Sequence, residues 1–110
     1  MKAFIDNFET MQRQVHATAL SKGWWSFPRS DGEIIALMHS ELSEALEAMR
    51  HNNPPDDKLS EFSGVEVELA DTIIRIMDYA EAKGLRVAEA LVVKAAYNET
   101  RPHLHGGKAF

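Results

Sequence analysis

The sequence predicts an all-α fold, and three observations support this prediction. Among its 110 residues only 6 are Gly and 4 are Pro, the two residue types that most strongly disfavour helices. Apolar residues recur at steps of three and four over most of the chain, as they do on amphipathic helices. No long run of alternating β-branched residues indicates a strand. We therefore expect residues 1–110 to form a single, four-helix-bundle-like domain.

The first two helices are defined by an apolar stripe and a capping motif. The first is predicted over residues 2–21 and ends before Gly23. Its apolar residues form one narrow stripe, which consists of Phe4, Phe8, Met11, Val15 and Ala19. Ser30 and Glu33 have the Ser-x-x-Glu spacing of a capping box, so the second helix should begin there and run to about His51.

The third and fourth helices follow a turn-rich segment, residues 51–58, that contains two prolines. The third helix is predicted from residue 59 or 60 to residue 83, with Gly84 as its C-terminal cap. Apolar residues cover nearly half of its circumference, which is typical of a central helix that packs on more than one neighbour. The fourth is predicted over residues 87–100, before Pro102.

Two pairs of carboxylates are the main chemical feature: Glu41 with Glu44 in the second helix, and Glu68 with Asp71 in the third. A separation of three residues is a rotation of about 300° on a helix, so both acids of a pair project from one side. Like charges at this spacing call for a cation or abundant solvent. Because carboxylate oxygens suit Mg²⁺ or Mn²⁺, the four residues are candidate metal ligands.

The two pairs differ in their surroundings. Glu41 falls inside the apolar arc of the second helix, where a carboxylate is costly unless it is paired, protonated or bound to metal. Glu68 and Asp71 lie on the polar side of the third helix with Arg75 and Asp78. For this second pair, an ordinary solvent-exposed face is an equally good interpretation.

Cationic residues near the C-terminus are candidates for binding phosphate. Lys94, Asn98 and Arg101 follow at steps of four and three, so they share a stripe on the fourth helix. The alternative is an ordinary polar flank. His105 and Lys108 belong to a short cationic tail that could fold over a bound anion.

Trp24 and Trp25 lie in the connection between the first two helices. Adjacent tryptophans in a loop could stack on a base. The alternative is that they cap the core or contribute to an oligomer interface, since large aromatic residues are common in all of these roles.

Composition excludes several classes of function. A formal net charge of −5 argues against binding to nucleic acid polymers, although a metal-loaded acidic site can still bind a nucleotide. Cysteine is absent, so disulfides and thiolate sites are excluded. We expect no membrane association and a cytoplasmic location, because no apolar stretch has the length of a signal peptide core or a membrane span. The chain contains no phosphate-binding loop, and the lack of Glu-x-x-His argues against di-iron chemistry.

In their order along the chain, these motifs resemble those of the MazG-type all-α nucleoside triphosphate pyrophosphohydrolases. The resemblance spans residues 23–110 and leaves only the first helix without a distinctive motif. The matching motifs are Glu41-Leu42-Ser43-Glu44, Glu68-Leu69-Ala70-Asp71, Lys94-x-x-x-Asn98-x-x-Arg101 and His105-Gly106-Gly107-Lys108. Leu104 departs from the family, in which the residue before the histidine is often basic or aromatic.

The resemblance implies an enzyme and its cofactor. It implies that a (deoxy)nucleoside triphosphate and water become the monophosphate and pyrophosphate, in the housekeeping of the nucleotide pool. Mg²⁺, or Mn²⁺ in its place, would be held by the four acids and would bind the triphosphate. Glu41 or Glu44 would take the proton of the attacking water.

The resemblance also implies a substrate pocket between helices and an assembly that is a dimer or a dimer of dimers. In that pocket Lys94 and Arg101 could neutralise pyrophosphate, Asn98 could bind phosphate or sugar, and Trp24 or Trp25 could bind the base. Two alternatives stay open. One is a phosphoribosyl-ATP or dUTP-type pyrophosphohydrolase of the same fold, and the other is a non-catalytic helical dimer that binds a partner.

Overall fold

The computed structural model describes residues 1–102, which form four α-helices. They are α1 (Lys2–Ser21), α2 (Asp31–Arg50), α3 (Gly64–Lys83) and α4 (Val87–Glu99). No strand occurs in this range, so the predicted all-α class is confirmed. Within the same range, no helix combines the length and the apolar character needed to cross a membrane.

Helices α2 and α3 both begin with a complete capping box. The predicted box at the start of α2 is confirmed, because Ser30 Oγ accepts a hydrogen bond from Glu33 N at 3.1 Å and Glu33 Oε1 accepts one from Ser30 N at 3.4 Å. The predicted start of α3 at residue 59 or 60 is wrong. A second capping box, formed by Ser63 and Glu66, starts this helix later.

The residues just before Ser63 form a closed loop instead of a helical turn. The Asp56 carboxylate accepts hydrogen bonds from the backbone N–H groups of Lys58 and Leu59. Asp56 N also donates to Phe62 O at 2.8 Å. These bonds hold the backbone away from a helical path. At the other end of α3 the predicted cap is confirmed, since Gly84 has a φ of 66°, a left-handed conformation that glycine adopts without steric cost.

Helix α3 is central, as its broad apolar surface predicts. It packs antiparallel to α2, with an ion pair between Arg75 and Glu41 near the middle of the two helices. It also packs antiparallel to α1, where Gln12 Nε2 donates to Glu81 Oε1 at 3.1 Å. Helix α4 packs mainly on α1.

The predicted apolar stripe of α1 is wrong in part. Met11 is 50% exposed and Phe4 is 38% exposed, whereas Gln12 is buried. The helix is rotated towards Gln12 because the contact with α3 is made through hydrogen bonds between polar side chains as well as through apolar packing. Periodicity of apolar residues alone does not detect such a contact.

The apolar core is small for the length of the chain. In the described residues the buried apolar side chains are Ile34, Ala45, Met77, Ala80 and Ala88. Three of the five are alanines, which bury little area. Helical periodicity places Leu46 and Met49 in the same apolar arc of α2 as Glu41 and so predicts that they are buried, but they are 51% and 59% exposed.

Candidate metal centre

Three carboxylates from two helices converge in the groove between α2 and α3. Glu41, Glu44 and Glu68 each offer one oxygen, and these oxygens all lie within 4.8 Å of one another. Asp71 is three residues beyond Glu68 on α3, and it lines the same cleft as Glu41. Glu68 and Asp71 are both half-buried, so they do not lie on a solvent-exposed face. We call these four residues the acidic cluster.

Glu41 is the most buried member of the acidic cluster, with an exposed fraction of 7%. The burial expected from its place in the apolar arc of α2 is therefore confirmed. Its charge is balanced by Arg75, whose Nε donates to Glu41 Oε1 at 2.7 Å. Burial alone would raise the pKa of Glu41, but hydrogen bonds with Arg75, Glu44 and Glu68 outweigh it and lower that pKa.

The two carboxylates that α3 contributes to the acidic cluster respond in the opposite direction. Burial, together with the nearby Glu44 and Glu41 side chains, raises the pKa of Glu68 to about 8. Burial and the charge of Glu41 also raise the pKa of Asp71. Without metal, the acidic cluster as a whole therefore holds a proton to a higher pH than separate carboxylates would.

The composition and geometry of the acidic cluster fit a divalent metal ion. Oε2 of Glu68 is buried and has no hydrogen-bond partner in the described residues, although a buried carboxylate oxygen ordinarily has one. A cation bound between Glu41, Glu44 and Glu68 would satisfy this oxygen. The donors are all carboxylate oxygens, which are ligands typical of Mg²⁺ or Mn²⁺.

A cleft of about 250 Å³ opens beside the acidic cluster. It lies where α1 ends against α3, and Asp71 and Glu41 form part of one wall. The other lining residues are Val15, Thr18, Ala19, Lys22, Trp24, Ile74, Arg75 and Asp78. The cleft thus combines an apolar wall, an aromatic ring and two cationic side chains.

The two tryptophans have different surroundings. Trp24 lines the cleft, and the guanidinium carbons of Arg75 and Arg29 lie 4.6 and 5.0 Å from the centre of its ring. Trp25 Nε1 donates to both carboxylate oxygens of Asp78, at 3.0 and 3.1 Å. Both side chains therefore belong to the region around the cleft.

The cationic stripe of α4 is not part of this region. Lys94, Asn98 and Arg101 are exposed, and none of them lines the clefts around the acidic cluster. Lys94 Nζ and the Arg101 guanidinium carbon lie 4.9 and 5.9 Å from the ring centre of Tyr97. The other two candidate phosphate ligands, His105 and Lys108, lie outside the described residues.

Three residues to which sequence reasoning gave no role are prominent here. Arg75 pairs with Glu41, and Asp78 accepts hydrogen bonds from Trp25. His16 Nδ1 lies 2.7 Å from Asp78 Oδ1, which ties α1 to α3 next to the cleft. Arg75 and Asp78 follow Asp71 at steps of four and three, so their shared helix side was visible in the sequence. No local signal pointed to His16.

Comparison with known proteins does not name a family for this chain. No family model, curated protein or solved structure matches it.

Proposed function

We propose that the protein is a Mg²⁺-dependent hydrolase that converts a (deoxy)nucleoside triphosphate into the monophosphate and pyrophosphate. The observation that carries the proposal is the convergence of Glu41, Glu44 and Glu68, together with a buried oxygen of Glu68 that has no hydrogen-bond partner in the described residues. The adjacent cleft, with Trp24 and two cationic side chains, adds a place for an anionic aromatic ligand. The order of motifs along the chain supports the same reaction.

The metal would be held by the four residues of the acidic cluster. When bound, it would neutralise phosphate charge and position the α-phosphorus for attack by water. A triphosphate carries about four negative charges, so it would be repelled by the acidic cluster without such a cation.

Glu44 is the better placed of the two candidate bases. Glu41 is buried and bonded to Arg75, and its lowered pKa makes it a weak proton acceptor. Glu44 is exposed to solvent at the edge of the acidic cluster, where a water molecule has access. We therefore propose that Glu44 accepts the proton of the attacking water.

The size of the cleft favours a base over a whole nucleotide. Its volume of about 250 Å³ is just below that of small-molecule pockets, which begin at about 300 Å³. With a base in contact with Trp24, the phosphates would extend over the acidic cluster. The α4 stripe has no place in this site within one chain.

Analysis of products by ³¹P NMR tests the proposal. A panel of NTPs and dNTPs is incubated with the protein, with and without Mg²⁺. Monophosphate and pyrophosphate that appear only with metal would support the proposal. If phosphoribosyl-ATP is included in the panel, the fastest substrate would distinguish a general enzyme from a dUTP-type or a phosphoribosyl-ATP pyrophosphohydrolase. Release of orthophosphate would contradict the proposal. An absence of turnover would favour the non-catalytic, partner-binding alternative.

We further propose that the protein assembles as a dimer. A dimer of dimers would contain this same dimer interface. Six large apolar side chains, between 41% and 59% exposed, share one side of the α2–α3 pair. They are Ile35, Leu42, Leu46 and Met49 on α2, and Leu69 and Ile73 on α3. We call this set the apolar face. Each residue turns the helix by about 100°, and this rotation places the apolar face away from α1 and from the acidic cluster.

A second copy of the chain is the occupant that best fits the apolar face. Fully burying a Leu, Ile or Met side chain is worth about 1.5–3 kcal/mol, so covering an exposed half is worth about 1 kcal/mol. Two copies of the apolar face would gain about 12 kcal/mol in total, against about 4–15 kcal/mol for lost freedom of motion. The small core of one chain favours a permanent partner, and an identical chain is always present.

A further inference from the structure

Arg75 occupies a position between the acidic cluster and the cleft. It is the one cationic side chain bonded to the acidic cluster in residues 1–102, through the 2.7 Å hydrogen bond from Nε to Glu41. Its guanidinium lies over the Trp24 ring, at 4.6 Å from the ring centre. The terminal N–H groups of the guanidinium have no side-chain partner in the described residues.

A metal ion and Arg75 would compete for Glu41. Glu41 is buried, so its charge needs a partner, and without metal that partner is Arg75. A divalent cation in the acidic cluster would supply a stronger one and would place two positive groups side by side. A guanidinium that loses its carboxylate in a half-buried site needs another anion.

Trp24 determines where Arg75 would find that anion. The cation–π contact with Trp24 does not depend on Glu41, and it holds the guanidinium along the wall of the cleft. We propose that Arg75 exchanges Glu41 for a phosphate oxygen of a metal-bound polyphosphate, with Trp24 holding it in place. This inference rests on the proposed function, and it assigns Arg75 as a substrate-binding residue. The planar guanidinium can bind two oxygens of one phosphate at once.

Two binding titrations of the full chain test the exchange, and neither depends on turnover. The first measures Mn²⁺ alone, and the second measures inorganic pyrophosphate in saturating Mg²⁺, both by calorimetry. The test variant is Arg75→Gln. The matched control is Arg29→Gln, because Arg29 also lies over Trp24 but is not bonded to the acidic cluster.

The exchange predicts opposite changes in the two affinities. In Arg75→Gln, Mn²⁺ should bind more tightly, by about threefold to tenfold, because Glu41 is no longer shared with a cation. Pyrophosphate should bind more weakly, by about tenfold to a hundredfold, because a charge-assisted pair is lost. Arg29→Gln should leave both affinities within about twofold of the wild-type values.

Other results would overturn the inference. Weaker binding of both ligands would make Arg75 a purely structural residue. Tighter Mn²⁺ binding with unchanged pyrophosphate binding would make it only a counter-ion for Glu41. If Arg75→Gln does not fold, as judged by circular dichroism, Arg75→Lys replaces it. This variant keeps the charge but loses the planar fork, so its pyrophosphate affinity should still fall.

A second variant tests the role of Trp24. Trp24→Phe should weaken pyrophosphate binding in the wild-type background but have no further effect in Arg75→Gln, since pyrophosphate has no base to stack on the ring. Equal effects in both backgrounds would contradict the proposed positioning. If the wild-type chain hydrolyses nucleotides and Arg75→Gln binds pyrophosphate as tightly as the wild type, this inference alone is overturned. A wild-type chain that binds neither ligand would overturn the proposed function as well.

Discussion

At the scale of single residues, the raised pKa of Glu68 makes the stability of the metal site depend on pH. The pKa of this carboxyl group is raised from 4.5 to about 8, so the folded chain keeps a proton that the unfolded chain releases above pH 4.5. The raised pKa of Asp71 acts in the same direction. The stability that this proton provides is present at low pH and is lost as the pH rises towards 8. The lowered pKa of Glu41 provides stability that is present above its ordinary pKa of 4.5 and is lost as the pH falls below it.

We therefore predict that the metal-free protein becomes less stable between pH 5 and pH 8, and that Mg²⁺ stabilises it more at pH 8.5 than at pH 6. Above a pH of about 8 the metal no longer competes with the proton of Glu68. Thermal unfolding with and without Mg²⁺ measures both effects. Glu68→Gln should flatten the metal-free profile, whereas Glu61→Gln, a change at an exposed position, should not. A flat wild-type profile would contradict the raised pKa of Glu68.

A second prediction at this scale concerns the proposed base. Glu44→Gln should lower the rate of hydrolysis by about 10²–10⁴-fold, which is the usual contribution of general-base catalysis, with further loss from weaker metal binding. Glu47→Gln, one turn further along α2 and exposed, should keep nearly full activity. Steady-state rates at saturating Mg²⁺ provide the measurement. Equal loss in both variants would point to a general effect of charge on α2.

At the scale of the helices, their boundaries are set by side chains that bind free backbone N–H groups. Ser63 and Glu66 fix the first turn of α3, and this turn positions Glu68 two residues later. The Asp56 turn and the hydrogen bond from Gly64 N to Pro54 O at 2.8 Å hold the preceding loop against that turn. The start of α3 therefore controls how the acidic cluster is assembled.

We predict that Ser63→Ala destabilises the protein by about 1 kcal/mol, the usual cost of losing a helix N-cap. Ser60→Ala should change stability by less than about 0.5 kcal/mol, because Ser60 is exposed and lies before the helix. Urea unfolding followed by circular dichroism gives both values. Indistinguishable midpoints for the two variants would show that the Ser63 cap contributes little.

At the scale of the whole molecule, the α2–α3 pair has two different sides. One side carries the acidic cluster, Arg75 and the contact with α1. The other carries the apolar face, which nothing covers in the described part of a single chain. Monomeric proteins rarely expose apolar patches larger than a few hundred Å² without a partner. In the proposed dimer this patch would be buried while the cleft stays open to substrate.

We predict that the wild-type protein sediments at twice its chain mass of 12.4 kDa or at a multiple of that dimer, and that Leu46→Glu sediments as a monomer with a lower melting temperature. A buried charge at the centre of the apolar face would cost several kcal/mol on association. Val93→Glu, a change at a side chain that is 68% exposed on α4, is the matched control and should leave the assembly intact. A wild-type monomer at micromolar concentration would refute the interface.

The sequence by itself determined the features that depend on neighbouring residues. These include the all-α class, the cap at Gly84 and the capping box at Ser30. A second Ser-x-x-Glu at Ser63 was equally readable and would have given the correct start of α3. The position of Glu41 among apolar residues was also visible, because helical periodicity alone places it there. In each case the interacting groups are no more than about one or two helical turns apart.

Only the tertiary structure decided which elements meet. Glu68 and Asp71 face either solvent or α2, depending on how α3 is rotated against its neighbours. The periodicity of α3 is compatible with both orientations. The pairing of Arg75 with Glu41 and the contact of His16 with Asp78 join residues 34 and 62 positions apart. The position of α4 beside α1, away from the acidic cluster, likewise depends on packing between helices. Such contacts follow from the relative free energies of alternative packings, which local sequence patterns do not report.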